Sequence, residues 1–389
     1  MNTLIKKIDL SLLAYSFLGV IFFSFIFINQ IGDRHLYVFL IGIGLGVSLY
    51  HASFGFTGGW RDFIENKKSN SLRAQILMLG MAVVLFSFFI NSNSWIYNGK
   101  MIGAVAPVNL SVIVGSFLFG FAMQLAGGCG SGTLFTASGG NGKMAITLVF
   151  FMIGSLIGTY HFEFWKNTPS IGGISILNEL GQVKSVFLQI IVLILLYFFI
   201  SRSDQNKNGK VNHLDIFNFS QFKLFIGPWP LFLGAFLLVF FNFLMLQAAG
   251  HPWGITFAFG LWAAKIAQFI GIEVGNWSFW QLSYPSTALE NSLLADPTTV
   301  SNLGIVFGAL IASILAGKFF NKSILDKKIL LAAILGGLLM GYGARLAFGC
   351  NVGALFSGIA SGSLHGWVWF LFAFLGSIIG VRFRKVFYS

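Results

Sequence analysis

Only two of the 389 residues are cysteines, and each sits inside a glycine frame: LAGGCGSGTLF at 125–135 around Cys129, and LAFGCNVGALF at 346–356 around Cys350. Glycine breaks a helix and lets backbone N–H groups approach a ligand closely. The start of a following short helix, predicted at about 133–138, presents free N–H groups and a positive dipole end, which suit an anion. A thiol adds a weak donor and a soft, polarisable atom, suited to a ligand carrying sulfur or selenium. A thiolate would repel an anion, so the working form is expected to be the neutral S–H.

An isolated buried cysteine is most often a small hydrophobe, and a glycine in a membrane helix is most often a packing residue. The packing reading suits Gly154, Gly158, Gly376 and Gly380. It is weaker for Gly128, Gly130, Gly349 and Gly353, because the same residue types recur around both thiols. Leu118, Gly120, Leu125, Ala126, Gly128, Cys129, Gly132, Leu134 and Phe135 match Leu339, Gly341, Leu346, Ala347, Gly349, Cys350, Gly353, Leu355 and Phe356. GSLIG at 154–158 then matches GSIIG at 376–380. The chain reads as two repeats, about 37–165 and 228–385, within one integral membrane domain.

The elements that must position these motifs are membrane helices. The chain is 56% hydrophobic and 9% charged, with 46 Phe and 47 Gly, whereas soluble domains carry roughly a quarter charged residues. Apolar runs long enough to cross a bilayer lie near 11–30, 37–56, 74–92, 109–128, 143–162, 184–201, 228–247, 301–317, 329–348 and 364–382. The basic start before the first run resembles that of a signal peptide, but the run is long and no small-residue cleavage site follows, so it reads as a first span. The net charge of +12 is carried by short loops, which excludes nucleic acid and sets orientation. Basic stretches at 59–73 (Arg61, Lys67, Lys68, Arg73), 202–223 and 318–328, with the C-terminal tail, are expected to be cytoplasmic, as are both termini. The stretch 202–226 is the linker between repeats. The stretch 272–299 has acids and no base, and is expected outside. These sides agree only if 251–271 enters and returns without crossing, which is allowed where protein or a watery cavity satisfies its backbone. The two repeats are then inverted, as in transporters whose site lies at the repeat interface. HASFGFTGGW (51–60) pairs with HPWGITFAFGLW (251–262), and 51–60 is expected to be irregular too. The fold class is all-α polytopic: about ten transmembrane helices plus re-entrant or broken helices.

Intramembrane charges are costly and usually functional. Arg345 either attracts an anion or snorkels to backbone carbonyls; Lys265 also stands out. Arg61 and Asp62 read as an interfacial ion pair. His51, His251 and His365 lack metal-ligand spacing, and nothing calls for a metal, cofactor, nucleotide domain or catalytic triad.

Three stretches, GIGLGVSLYHASFGFTGGWRDF (42–63), GSFLFGFAMQLAGGCGSGTLF (115–135) and GGLLMGYGARLAFGCNVGALFSGIASGSLHGW (336–367), resemble the YeeE/YedE family of bacterial inner-membrane sulfur transporters. The resemblance implies uptake of thiosulfate, or in some members a selenium compound, through an hourglass of inverted repeats whose thiols pass the ion by S–H···S contacts. Cys129 and Cys350 match the family's two Gly-Cys thiols. The departure is Gly55: the family's first motif commonly reads Phe-Cys-Phe, and here FGF stands at 54–56. The implied pathway comprises Cys129, Cys350, Gly128, Gly130, Gly349, Asn351, Gly55 and Arg345. A small cytoplasmic sulfurtransferase-like protein is a partner implied by analogy, with 59–73 and 202–223 as its docking surfaces. Alternatives are a carrier of a selenium species, sulfide or another small anion, a membrane redox enzyme exchanging the two thiols, or a purely structural role for them.

Overall fold

The computed structural model describes residues 8–319 and 326–388. The basic start at 1–7 and Lys322 of the 318–328 stretch lie outside the described residues. Among the described residues, ten helical spans are long and apolar enough to cross a membrane, including Asp33–Asn66, Leu110–Ser138 and Lys327–Ala360. All ten predicted runs fall on them. The protein is an all-α polytopic membrane protein, with one short ribbon pairing Pro107–Asn109 antiparallel to Ser170–Gly173.

We number the principal helices in chain order: α1 Leu10–Ile26, α2 Asp33–Ala52, α3 Phe56–Asn66, α4 Asn70–Phe89, α5 Leu110–Ala126, α6 Gly130–Ser138, α7 Gly142–Tyr160, α8 Gln182–Asn208, α9 Leu231–Ala249, α10 Thr256–Phe269, α11 Pro297–Leu315, α12 Lys327–Leu346 and α13 Leu364–Tyr388. A wide helical turn, Asn351–Phe356, and one α-turn, Ser357–Ala360, follow α12.

Among the helices that end in left-handed backbone, four are followed at once by the elements that carry the motifs: Ser53 stands after α2, Gly127 (φ +86°) after α5, Gly250 after α9, and Phe348 with Gly349 (φ +151°) after α12. Each break is followed by a short element. At 14 residues α10 is too short to cross, since a span needs about 20 residues. Both ends of the stretch holding it meet the same place. Arg34 donates to the carbonyls of Ala248 and Ala249, and the His35 ring bonds the Ala295 carbonyl. The predicted dip at 251–271 thus has its structural form. The stretch 51–66 behaves likewise on the opposite side. The Trp229 N–H donates to the His51 carbonyl, while Lys207 and Asn208 donate to the carbonyls of Glu65 and Asn66.

The helices that carry the breaks are held by glycine contacts. A methyl at Gly154 of α7 would overlap the Leu338 carbonyl of α12, and one at Gly341 the Phe151 carbonyl. The same contacts recur between α13 and α5, where Gly376 faces the Phe117 carbonyl and Gly120 the Ala373 carbonyl. Between α2 and α11, Gly42 and Gly46 interlock with Gly304 and Gly308. Without a hydrophobic drive between helices in lipid, such close backbone approach is what holds them together. The packing reading of Gly154, Gly158, Gly376 and Gly380 agrees with these contacts.

Two charge readings are corrected. Arg73, expected in a basic loop, is fully buried inside α4, where it donates to Asn70 Oδ1 and the Asn212 carbonyl. Its helix begins earlier than the apolar run suggests, because the Ser69 N–H and hydroxyl both bond Asp204 and anchor that end. Arg61 and Asp62 form no ion pair, and Arg61 Nη1 is buried without a partner. Both lie on α3, and successive helical positions do not face each other. The glycine contacts make a direct prediction. Gly154→Ala should lose about 1–3 kcal/mol by overpacking, read as a lower melting temperature in detergent. Gly80→Ala, whose methyl meets only Ile190 at 3.7 Å and Leu193 at 4.0 Å, should melt no lower than the parent chain.

Candidate functional site

Both cysteines stand at the first position of the element after a break. Cys129 is the N-cap of α6 in extended conformation, and its Sγ accepts from the Gly132 N–H at 3.4 Å. Cys350 is the N-cap of the Asn351–Phe356 turn, and its Sγ accepts from the Val352 N–H at 3.4 Å. Oxygen side chains are preferred at this position because they satisfy the free N–H groups of the first turn. Sulfur is the weaker acceptor, so capping alone gives no reason for it. The left-handed residues Gly127 and Gly349 turn the chain just before each cap. The short helix after Cys129 starts at Gly130, three residues earlier than predicted, because the thiol caps its first turn.

The two caps meet. A methyl at Gly130 would lie 3.1 Å from Cys350 Sγ and 3.4 Å from Thr256 Cγ2, at the start of α10. Cys129 and Cys350 lie within electrostatic range of one another and are 1% and 0% exposed. The thiol centre is therefore closed to both sides. Around it, polar groups are left over. Asn351 is fully buried with neither its amide nitrogen nor its amide oxygen bonded, and the Thr133 hydroxyl beside Gly128 is also unpartnered. Each such group costs about 1–3 kcal/mol, and in native structures such exceptions mark sites. Space is left as well. Nothing lies within 4 Å of a methyl at Gly353 or Gly254, and at Gly55 only the Ser53 carbonyl does, at 3.8 Å.

Arg345 lies between this centre and the side of the 272–299 loop. Its Nη2 donates to Ser155 Oγ at 3.2 Å and to the Thr256 carbonyl at 3.4 Å; its guanidinium sits 4.6 Å from the Phe279 ring centre, and its Nε is buried unbonded. No carboxylate pairs with it among the described residues. It borders a cavity of about 250 Å³ lined also by Asn109, Ser111, Trp165, Lys166 and Phe348. The side chain bonds a backbone carbonyl, as the second of the two sequence readings expects, and its Nε is left unbonded. Lys265 is half-buried toward the far end of α10 and takes no part in the convergence. The histidines serve packing: His365 bonds the Ala347 carbonyl, His251 that of Pro252, and the His51 ring packs on Trp229.

Residues 51–379, covering both thiol frames and both re-entering stretches, match the family described as Sulphur transport. The chain belongs to the sulphur transport family. Within the family it is similar to the probable transporter YedE of Escherichia coli K12, 31% identical over 159 residues, which is 41% of this chain and 38% of that relative. It is similar along nearly its whole length to the thiosulfate transporter TsuA of Spirochaeta thermophila, 23% identical over 89% of this chain and 98% of that protein. The TsuA of Escherichia coli K12 is 24% identical over 87% of this chain and 91% of that protein. The YedE match thus spans less than two fifths of that relative's length, whereas the TsuA matches are close to full length.

Sequence reasoning missed Thr133, Thr256 and the polar cavity wall at Asn109, Ser111 and Lys166. Thr256 had a signal, since Gly-Ile-Thr at 254–256 lines up with Gly-Phe-Thr at 55–57 once one residue is skipped after His51 in the first motif. The others carry none, because single hydroxyls and amides are common in any loop. The open space at Gly55 predicts that Gly55→Cys, which restores the family's third thiol, expresses and melts like the parent chain. A clear drop in melting temperature would show that the break cannot hold a side chain there.

Proposed function

We propose that this chain carries thiosulfate across the bacterial inner membrane for sulfur assimilation, through the closed centre at Cys129 and Cys350. The observation that carries the reading is the meeting of two sulfur caps beside an unpaired buried amide. A protonated thiol donates weakly to an anion and offers its polarisable sulfur to the sulfane sulfur of thiosulfate. Asn351 Nδ2 and Thr133 Oγ1 are donors that would bond its oxygens, and Arg345 supplies charge on the approach from the 272–299 side. The near full-length similarity to two proteins named thiosulfate transporters supports the same substrate.

The two halves are read as inverted repeats, with 202–230 and both termini on the cytoplasmic side. Crosswise contacts support this. Gln124 of α5 donates to the Thr57 carbonyl in the first turn of α3, as Arg345 of α12 does to the Thr256 carbonyl in the first turn of α10. Gly380 packs on Gln124 Cβ as Gly158 packs on Arg345 Cβ. Stretches 59–73 and 202–213 pack into one basic surface through Lys207, Asn208 and Asp204, which is the surface offered to a sulfurtransferase-like partner. A selenium species or sulfide is the second reading, favoured by the missing thiol at Gly55.

Uptake of labelled thiosulfate into cells lacking their own sulfate and thiosulfate importers tests the reading. Cys129→Ser and Asn351→Leu are the informative variants. Serine caps α6 at least as well as cysteine, and leucine removes an unpaired amide, so both should melt at or above the parent temperature. Uptake should nonetheless fall about tenfold or more, the scale of one hydrogen bond to an ion. Unchanged uptake in both would sink the two-thiol path. A well-expressed parent chain without uptake would remove thiosulfate and leave selenium compounds and sulfide.

A further inference from the structure

On the side opposite Arg345, three cations converge at the break that precedes Cys129. A methyl at Gly127 would lie 3.0 Å from Lys143 Nζ and 3.4 Å from Arg384 Nη1. Lys143 is 8% exposed and donates to the Tyr388 hydroxyl, which in turn donates to the Leu125 carbonyl at 3.0 Å. Arg384 donates to the Gln124 carbonyl at 2.9 Å and stacks 3.5 Å from the Tyr388 ring centre. Arg61 of α3 lies within electrostatic range of both Lys143 and Arg384, and its Nη1 is buried with no partner. Glu65 is in range of Arg384, yet no carboxylate pairs with any of the three among the described residues.

Part of this is ordinary helix termination. Cations favour a helix C-terminus, and Arg384 and Tyr388 satisfy two of the last carbonyls of α5. That explanation does not reach Lys143, whose bond ends on a neutral phenol, or Arg61, whose donor ends on nothing. Lys143 is buried beside two half-exposed like charges, so it is poorly solvated and repelled at once. A counter-ion relieves both costs. The donors left over are N–H groups on cations, which recognise the oxygens of a small tetrahedral oxyanion.

We propose that Lys143, Arg61 and Arg384 form a second anion site for a small divalent oxyanion, on the far side of the thiol centre from Arg345. An ion leaving Cys129 toward the basic loops passes Gly127 directly into this cluster, replacing the Tyr388 hydroxyl on Lys143. The assignment as a way-station rests on the transport reading above; the site itself does not.

Sulfate separates the two, because it has the oxygens and charge but no sulfane sulfur for the thiols. Equilibrium dialysis of labelled sulfate against the purified full chain in detergent should show saturable binding. That binding should persist in the Cys129→Ser/Cys350→Ser double variant. Lys143→Gln and Arg61→Gln should each weaken it about tenfold or more, one charge-assisted bond apiece, and Lys143→Arg should restore most of it. Arg61→Gln removes no hydrogen bond made by Nη1, so it reports on charge even if Lys143→Gln fails to fold. Absence of sulfate binding, or binding indifferent to Arg61→Gln and Lys143→Gln, overturns the site while leaving thiosulfate uptake standing. Absence of thiosulfate uptake by the well-expressed parent chain, with its sulfate binding intact, contradicts the transport reading and leaves the site.

Discussion

Backbone amides and carbonyls in a hydrocarbon layer have no water to bond, so every departure from helix must be enclosed by protein. The departures that frame the thiols lie at Ser53, Gly127, Gly250 and Phe348–Gly349. The rest of the architecture answers to that constraint. The pairs α7 with α12, α5 with α13, and α2 with α11 approach to backbone contact through glycine on carbonyl, forming a casing in which irregular stretches are tolerated. α1 and α8 stand outside the casing, and their spans are only 11% and 22% buried.

Inside the casing several buried polar atoms are left unbonded, among them Thr57 Oγ1, Gln124 Oε1 and Asn302 Oδ1, and among the described residues Asn351 alone has both amide atoms without a partner. Most freed groups find partners: Trp253 N–H bonds Asn242 Oδ1, Ser357 Oγ bonds the Trp253 carbonyl, and Asn302 bonds the Ile255 carbonyl. Asn351 and Thr133, next to the thiols, do not. Sulfur stands where oxygen would cap better, and an amide stands unpaired where leucine would fit. Both choices cost stability, and they sit side by side. Cations border this centre on either side, Arg345 toward one face and Lys143, Arg61 and Arg384 toward the other, with no carboxylate paired to them among the described residues. We read all three features as a site that would favour a small, soft anion.

Much of this was legible before any coordinates. Long apolar runs betray spans directly, and the repeated glycine frames located both caps. Loop charge called for 251–271 to turn back, and the stretch that holds α10 has its two ends beside each other at Arg34 and His35. The failures share a cause. Arg73 and Lys143 lie in or beside apolar runs, and their burial depends on Asp204-anchored packing in one case and on Tyr388, 245 residues away, in the other. The expected Arg61–Asp62 pair failed because adjacency in sequence is not adjacency on a helix. The cavity beside Arg345 is assembled from α5, α7, α12 and the ribbon, and no single stretch announces it.

With only two cysteines in the chain, the S–H stretching band in the infrared has two contributors, and each can be removed by a single serine substitution. Protonated thiols that hold the ion should give two S–H components in the free protein, and both should move to lower frequency when thiosulfate is added, as stronger hydrogen bonds form. A band indifferent to saturating thiosulfate in a chain that transports it, or no S–H band at all, would contradict a path through neutral thiols.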